Sequence, residues 1–495
     1  MALPESHLVW LPPTDHLING QGYPRITKSS PVRDLGPGAL DYERCAALHN
    51  ELLRRGVEGS GRKMPTSPRT YWEAAAPSEE IANMLRPPVV EFLKRAYVEY
   101  PLLPERGALF HFLRGLAEPS WMVDVYVGCA NEVPPGTFIR LYGLSDFRSG
   151  DNEGILLNQH TMKASFITDY NDTPGVCALP FAWMPLEVIL DAYLQMIDEG
   201  KVEAVTDDRA DYLEKELSNN WVDRPWVIHP YTAADVARAV AAFKCLVTAI
   251  HARIPEDDGK DNKSTDWMDL PWLDPATLTQ QNVLPTSTFA HDFLTAIAYI
   301  KVRFRYVAPG LRFPTVSEFL DQPITDFETS PRNDVGQFPG DCPLKIFQLV
   351  CNQPVPDPHI PHWTDPKNFP AAFYIHPVVQ EPPLCYSNGC HLALPFAIGK
   401  KGHARKSNGE PFGRDDRDFE PEPRNEHVGL YQPGLTNGFG EYHDVQIDKV
   451  LRNWAERVER GDWDVDRDGV VGGIEKFREA DTEEHWEKYW IPPSW

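Results

Sequence analysis

Apolar residues alternate between two periods along this chain. Val89, Phe92, Leu93, Ala96, Tyr97 and Tyr100 form a stripe at helical spacing that starts behind Pro87-Pro88. Before it, Ser78 followed by Glu79 and Glu80 has the chemistry of a helix start, where a hydroxyl and acids meet unpaired N–H groups. Leu186, Ile189, Leu190, Tyr193, Leu194 and Ile197 share another face, which Gly200 can close. Thr232-Ala-Ala-Asp235 resembles a capping box ahead of Val236, Val240, Phe243, Val247 and Ile250. Further helices are predicted over 42–54, 289–305, 445–459 and 474–489.

Period-two or short apolar runs bounded by turn residues predict strands over 122–129, 137–144, 154–158, 163–169 and 176–184. A second cluster follows at 344–351, 371–379 and 391–398. The connections within the first cluster are too short for parallel crossovers, so antiparallel or mixed sheets are expected. Ser387-Asn388-Gly389 reads as a hairpin turn in which Asn-Gly adopts positive φ. The predicted class is therefore α+β, helix-rich, with two clusters of short strands and a C-terminal helix–loop–helix. The expected organisation is an irregular N-terminal wrap over 1–75, a mixed subdomain over 76–254, a second over 286–426, and the helix–loop–helix over 427–495. Residues 255–285 are expected to be an acidic, irregular connection, a mobile loop or a boundary, and 399–426 an exposed, charged and proline-rich loop.

With 495 residues the chain exceeds what one core usually supports. Its 47 prolines predict short elements, because proline cannot donate to a helix or sheet ladder. A formal net charge of -24 argues against a broad nucleic-acid surface and favours attraction of cations. No apolar run is long enough to span a membrane, and the N-terminus has no secretory pattern. The cysteines are scattered, with Cys245 inside an apolar helical pattern, which suits buried thiols in a reducing cytoplasm. Walker, dinucleotide-binding, nucleophile-elbow and zincin patterns are absent.

The chain's sharpest chemical pattern is Asp464-Val-Asp466-Arg-Asp468-Gly469-Val470-Val471-Gly472-Gly473-Ile474-Glu475. These twelve residues resemble the calcium-binding loop of EF-hand proteins. Calcium takes six to eight oxygens, and alternate acids around a glycine can supply them. The resemblance implies that Asp464, Asp466 and Asp468 ligate through carboxylates, Val470 through its carbonyl and Glu475 bidentately, with Val471 packed inward. The other reading of the same residues is an acidic corner that holds no ion and is fixed by Trp463 and Phe477. A single hand favours structural pinning over switching.

A second constellation is Asp357-Pro-His359-Ile-Pro-His362-Trp-Thr-Asp365. Its nitrogen and oxygen donors suit Zn(II) or Fe(II), and it would need a third converging ligand. His376 and His391, on neighbouring predicted strands, are the candidates. Cys385 and Cys390 flank the Asn-Gly turn, and Lys400–Lys406 is a dense basic run, expected to be a solvated loop. These observations favour an enzyme acting on a small molecule, with His359, His362 and Asp365 as its catalytic candidates and a structural calcium loop. The alternative is a non-catalytic, calcium-stabilised binding protein.

Overall fold

In the computed structural model the described residues run from 25 onward, excepting 28, 99–101, 104–106, 112, 126–133, 135, 145–153, 168–182, 217–221, 256–283, 285, 323–343, 351–369, 377–385, 413–426, 435–436, 438 and 440–443. The class is α+β. Helix α1 (Tyr42–Gly59) is longer than its pattern predicts, because its buried face continues through Leu53 and Val57. Ser78 caps Glu79–Met84 through the Ile81 N–H, and Pro87 opens the next short helix, which ends at Leu93.

The first sheet is a five-stranded antiparallel meander of β1 (Leu113–Leu116), β2 (Phe138–Leu144), β3 (Gly154–Asn158), β4 (Lys163–Ile167) and β5 (Met184–Pro185). Where a strand was expected from Met122, the chain instead forms a short helix, Pro119–Val123, opened by its proline. Helix α2 (Leu186–Asp198) leaves β5 directly and packs on α1. Beside it lies a three-stranded sheet of β6 (Val202–Ala204), β7 (Val222–Asp223) and β8 (Trp226–Ile228).

Helix α3 (Asp207–Glu216) lies between β6 and β7 in sequence. The predicted capping box opens α4 (Ala233–His251): Thr232 Oγ1 accepts from the Asp235 N–H, and Asp235 accepts from the Thr232 N–H. Helix α5 (Phe289–Ile297) stops short of the expected Arg305. Residues beyond it are recruited as β9 (Tyr306–Ala308), whose pairing with β10 (Leu311–Arg312) buries Val307 and Leu311. The second sheet then adds β11 (Leu344–Leu349), β12 (Ala372–Ile375), β13 (Cys390–Ile398) and β14 (His427–Gly429). Its far edge is β15 (Val465–Asp466) and β16 (Gly469–Val470), with β16 parallel to β9.

Helix α6 (Ile447–Glu459) packs along α4, and the two close over this sheet. Ala239, Ala242, Phe243, Leu246 and Ile250 meet Val450, Leu451, Trp454 and Val458 in one core. Small residues at 239 and 242 let the two axes approach. A separate core holds α1, α2, the five-stranded sheet and the three-stranded sheet. Going along the chain, the first core runs to Ile228 and the second begins at Ala239, so α4 packs in the second, and Tyr386, Phe439 and Trp495 return to the first. Likewise the N-terminal stretch supplies core residues Cys45, Leu48 and Leu52 instead of only wrapping it. The expected C-terminal helix over 474–489 is a 3-10 helix, Ile474–Asp481, followed by the short helix Trp486–Tyr489. Among the described residues, no helix is long and apolar enough to cross a membrane.

Candidate metal centre

His391 is the second residue of β13 and pairs opposite Tyr374 of β12. Opposed residues of an antiparallel pair share a face, and so do residues two apart on one strand. His376, two beyond Tyr374, is therefore the diagonal neighbour of His391 on that face. The two imidazoles sit edge to face, with ring centroids 5.2 Å apart.

The third member arrives from another part of the chain. The lead-in to α6 runs beside residues 388–390: the Cys390 N–H donates to the Val445 carbonyl at 3.0 Å, and the Ile447 N–H donates to the Asn388 carbonyl at 3.0 Å. A bridge between Gly389 and Gln446 lies between these bonds. This pairing carries Asp444 over the strand end. Its Oδ2 lies 2.8 Å from His376 Nε2 and 3.1 Å from His391 Nε2, and the two nitrogens are 3.3 Å apart.

Two of these separations, 3.1 and 3.3 Å, match one face of a metal coordination shell, and the third, 2.8 Å, is a little shorter. Ligands about 2.1 Å from an ion, at angles between octahedral and tetrahedral, lie roughly 3.0–3.4 Å from each other. Among the described residues, His376, His391 and Asp444 form the group whose ligand atoms all lie within 4.8 Å of one another and could hold an ion. The side chains are 10%, 15% and 22% exposed, so the face is reachable from solvent.

Burial alone would raise the Asp444 carboxyl, but the charge of His391 and hydrogen bonds from His376 and His391 outweigh it and hold Asp444 well below the ordinary carboxylate range. An ionised carboxylate is the form a cation requires. Cys390 is not a fourth donor. Its thiol donates to the Val445 carbonyl at 3.2 Å, and burial, then Asp444 and Asp448, push it well above the usual thiol range.

The other sequence-based candidates fall elsewhere. His359, His362 and Asp365 lie outside the described residues. Residues 464–475 lie between α6 and the 3-10 helix Ile474–Asp481, and within them Val465 pairs with Val470 and Asp466 with Gly469. Asp466 Oδ1 accepts from the Asp468 N–H at 2.8 Å, and the Asp468 carbonyl accepts from the Arg305 and Tyr306 N–H groups at 2.9 Å. Asp464, Asp466, Asp468 and Glu475 are exposed, and among the described residues they form no convergent group of the kind made by the histidines. Val470 is buried, while Val471, expected to pack inward, is 43% exposed because the ladder turns it outward. Trp463 and Phe477 pack edge to face beneath the hairpin. Cys245 is exposed on α4, where Phe243, Leu246 and Val247 take the buried positions.

His376 and His391 are visible in the sequence as flanking the strand pair, but Asp444 is not. Its one signal is an acid directly before an amphipathic helix, which reads as ordinary helix-start chemistry. Comparison of the chain with protein-family models, with curated proteins and with solved structures finds no match.

Proposed function

We propose that this protein is a metal-dependent enzyme acting on a small molecule, with its ion held by His376, His391 and Asp444. The observation that carries the reading is the convergence of two imidazole nitrogens and one carboxylate oxygen from three segments onto a single partly exposed face. Two histidines and a carboxylate suit Zn(II) or Fe(II), and a site held by three protein ligands leaves positions for water or substrate. An ion so placed polarises a bound carbonyl or activates a bound water. The expected result is about one first-row transition metal per chain in the purified protein, measured by mass spectrometry of the elements. His376→Ala, His391→Ala and Asp444→Asn are each expected to lose most of it. Wild-type protein that neither carries nor takes up Zn(II) or Fe(II) sinks the proposal.

A second reading keeps calcium at the hairpin in a non-catalytic binding protein. It is supported by the exposure of Asp464, Asp466, Asp468 and Glu475 around one turn that is fixed to β9. Calorimetric titration with Ca(II) separates the two readings. Heat that survives Asp444→Asn and vanishes in Asp466→Asn assigns calcium to the hairpin, and no heat removes that assignment.

A further inference from the structure

We infer that Gly389 is a positioning residue for the metal centre: its missing side chain is what lets Asp444 reach the two imidazoles. The inference rests on the reading of His376, His391 and Asp444 as metal ligands.

The sequence suggests a different job for this glycine, a positive φ in an Asn-Gly turn. The structure does not use it so. Gly389 is absent from the glycines with left-handed φ, and it sits in a bridge with Gln446 rather than at a turn tip. An alanine could therefore adopt its backbone. What alanine could not find is space. A Cβ built on Gly389 would lie 2.5 Å from Asp444 Cβ, 3.3 Å from Asp444 Oδ2 and 3.4 Å from Asp444 Cγ. The first of these is far inside van der Waals contact, and the atom struck is the root of the side chain, which cannot swing away by a rotamer change.

Two backbone bonds on either side hold the segments in register, Cys390 N–H to Val445 and Ile447 N–H to Asn388. The clash therefore falls on Asp444, the residue at the end of the paired stretch. Oδ2 of Asp444 is the single atom that both histidines face, at 2.8 and 3.1 Å. Metal ligands tolerate displacements of only about 0.2 Å. A shift large enough to relieve a 2.5 Å contact removes that oxygen from the shared face. His391, placed by the β12–β13 register, is not among the atoms the added Cβ meets.

The test uses the full chain, stripped of metal and titrated with Co(II), read by its visible d–d bands, and then with Zn(II) in competition. Gly389→Ala is expected to weaken both ions by at least about tenfold, the lower end of what disturbing a metal site's outer supports costs. It should also alter the Co(II) bands, and the metal-free melting temperature should fall, because the added Cβ strikes the root of the Asp444 side chain. Gly143→Ala is the control, since a Cβ at Gly143, within a strand, meets nothing within 4 Å. Gly389→Ala binding with wild-type affinity and bands overturns the inference while leaving the metal centre standing. Wild-type protein without Co(II) or Zn(II) affinity removes the metal centre and this inference together. Should Gly389→Ala be too unstable to titrate, the double variant Gly389→Ala, Asp444→Gly decides. Recovery of the metal-free melting temperature places the clash on Asp444, and failure to recover overturns the inference.

Discussion

His49 shows what a single buried residue does to this protein. It lies in α1 with no exposed surface, and its two ring nitrogens are committed. Nε2–H donates to the Tyr97 carbonyl at 2.8 Å, and Nδ1 accepts from the Tyr142 hydroxyl at 3.1 Å. The neutral ring with its proton on Nε2 satisfies both. Burial disfavours the imidazolium more than the Tyr97 carbonyl favours it, and the pKa falls to about 4. The unfolded chain, with an ordinary histidine, binds the proton first as pH drops. The stabilisation is therefore complete above about pH 6.5 and is lost as pH falls from there towards 4, with about 2 kcal/mol gone at pH 5. Urea unfolding at pH 7.5 and pH 5 should show that loss, and His49→Gln should flatten the dependence by a similar amount. The histidines at 376 and 391 stand out in sequence only by lying on neighbouring predicted strands. What separates them is the strand register that places two rings on one face, together with an aspartate 53 residues beyond His391 whose approach depends on backbone pairing. Glycine 389 was legible as special, but for the wrong reason: sequence offers Asn-Gly as a turn, and only the paired segments reveal a close approach.

Elements with a strong local cause were read well, and elements decided by distant partners were not. The Ser78 cap, the Thr232–Asp235 box and the strands Gly154–Asn158 and Cys390–Ile398 all follow from side chains within a few positions. Helix α5 ended early because Val307 and Leu311 gain more by pairing in a sheet than by extending a helix, a choice set by the hairpin lying beside β9. The basic run beyond β13 shows the same limit. It reads as a free, solvated loop, yet it is pinned. The buried carboxylate of Asp481 accepts from the N–H groups of Gly399, Lys401, His403 and Ala404 at 2.9–3.1 Å. The ring of Trp490 adds a bond to the Lys406 carbonyl at 2.9 Å. A charged acceptor of several backbone donors is worth more than a neutral pair, and removing it leaves buried donors unmet. Asp481→Ala should cost at least about 3 kcal/mol in urea unfolding. It should also open the chain to trypsin at Lys400 and Lys401. Unchanged cleavage and stability would show that the loop holds itself.

At the scale of the molecule, two cores share one chain and meet through polar contacts. Lys201, buried at the seam, donates to the Pro230 carbonyl at 2.7 Å and lies over the Tyr386 ring. Arg238 of α4 pairs with Glu199 beyond α2 and covers the Trp495 ring, while the Trp495 indole donates to Gln195 at 3.3 Å. Chain length announces more than one core, but not which of them α4 joins, because its apolar stripe is one that either core could have used. The proposed metal centre is built from β12, β13 and the lead-in to α6, which pack mainly in the second core, while Tyr386 and Phe439 just before β13 and that lead-in reach into the first. An ion that binds only the folded state stabilises it by mass action, about 2.7 kcal/mol at a hundredfold excess over its dissociation constant. If the cores open separately, that stabilisation stays local. Hydrogen exchange with and without saturating Zn(II) should then slow amides in β12, β13 and α6 and leave α1 and α2 unchanged. Equal slowing in α1 and α2 would mean that the seam holds strongly enough for both cores to open together, and Asp444→Asn, which removes the shared oxygen, should abolish the slowing in either case.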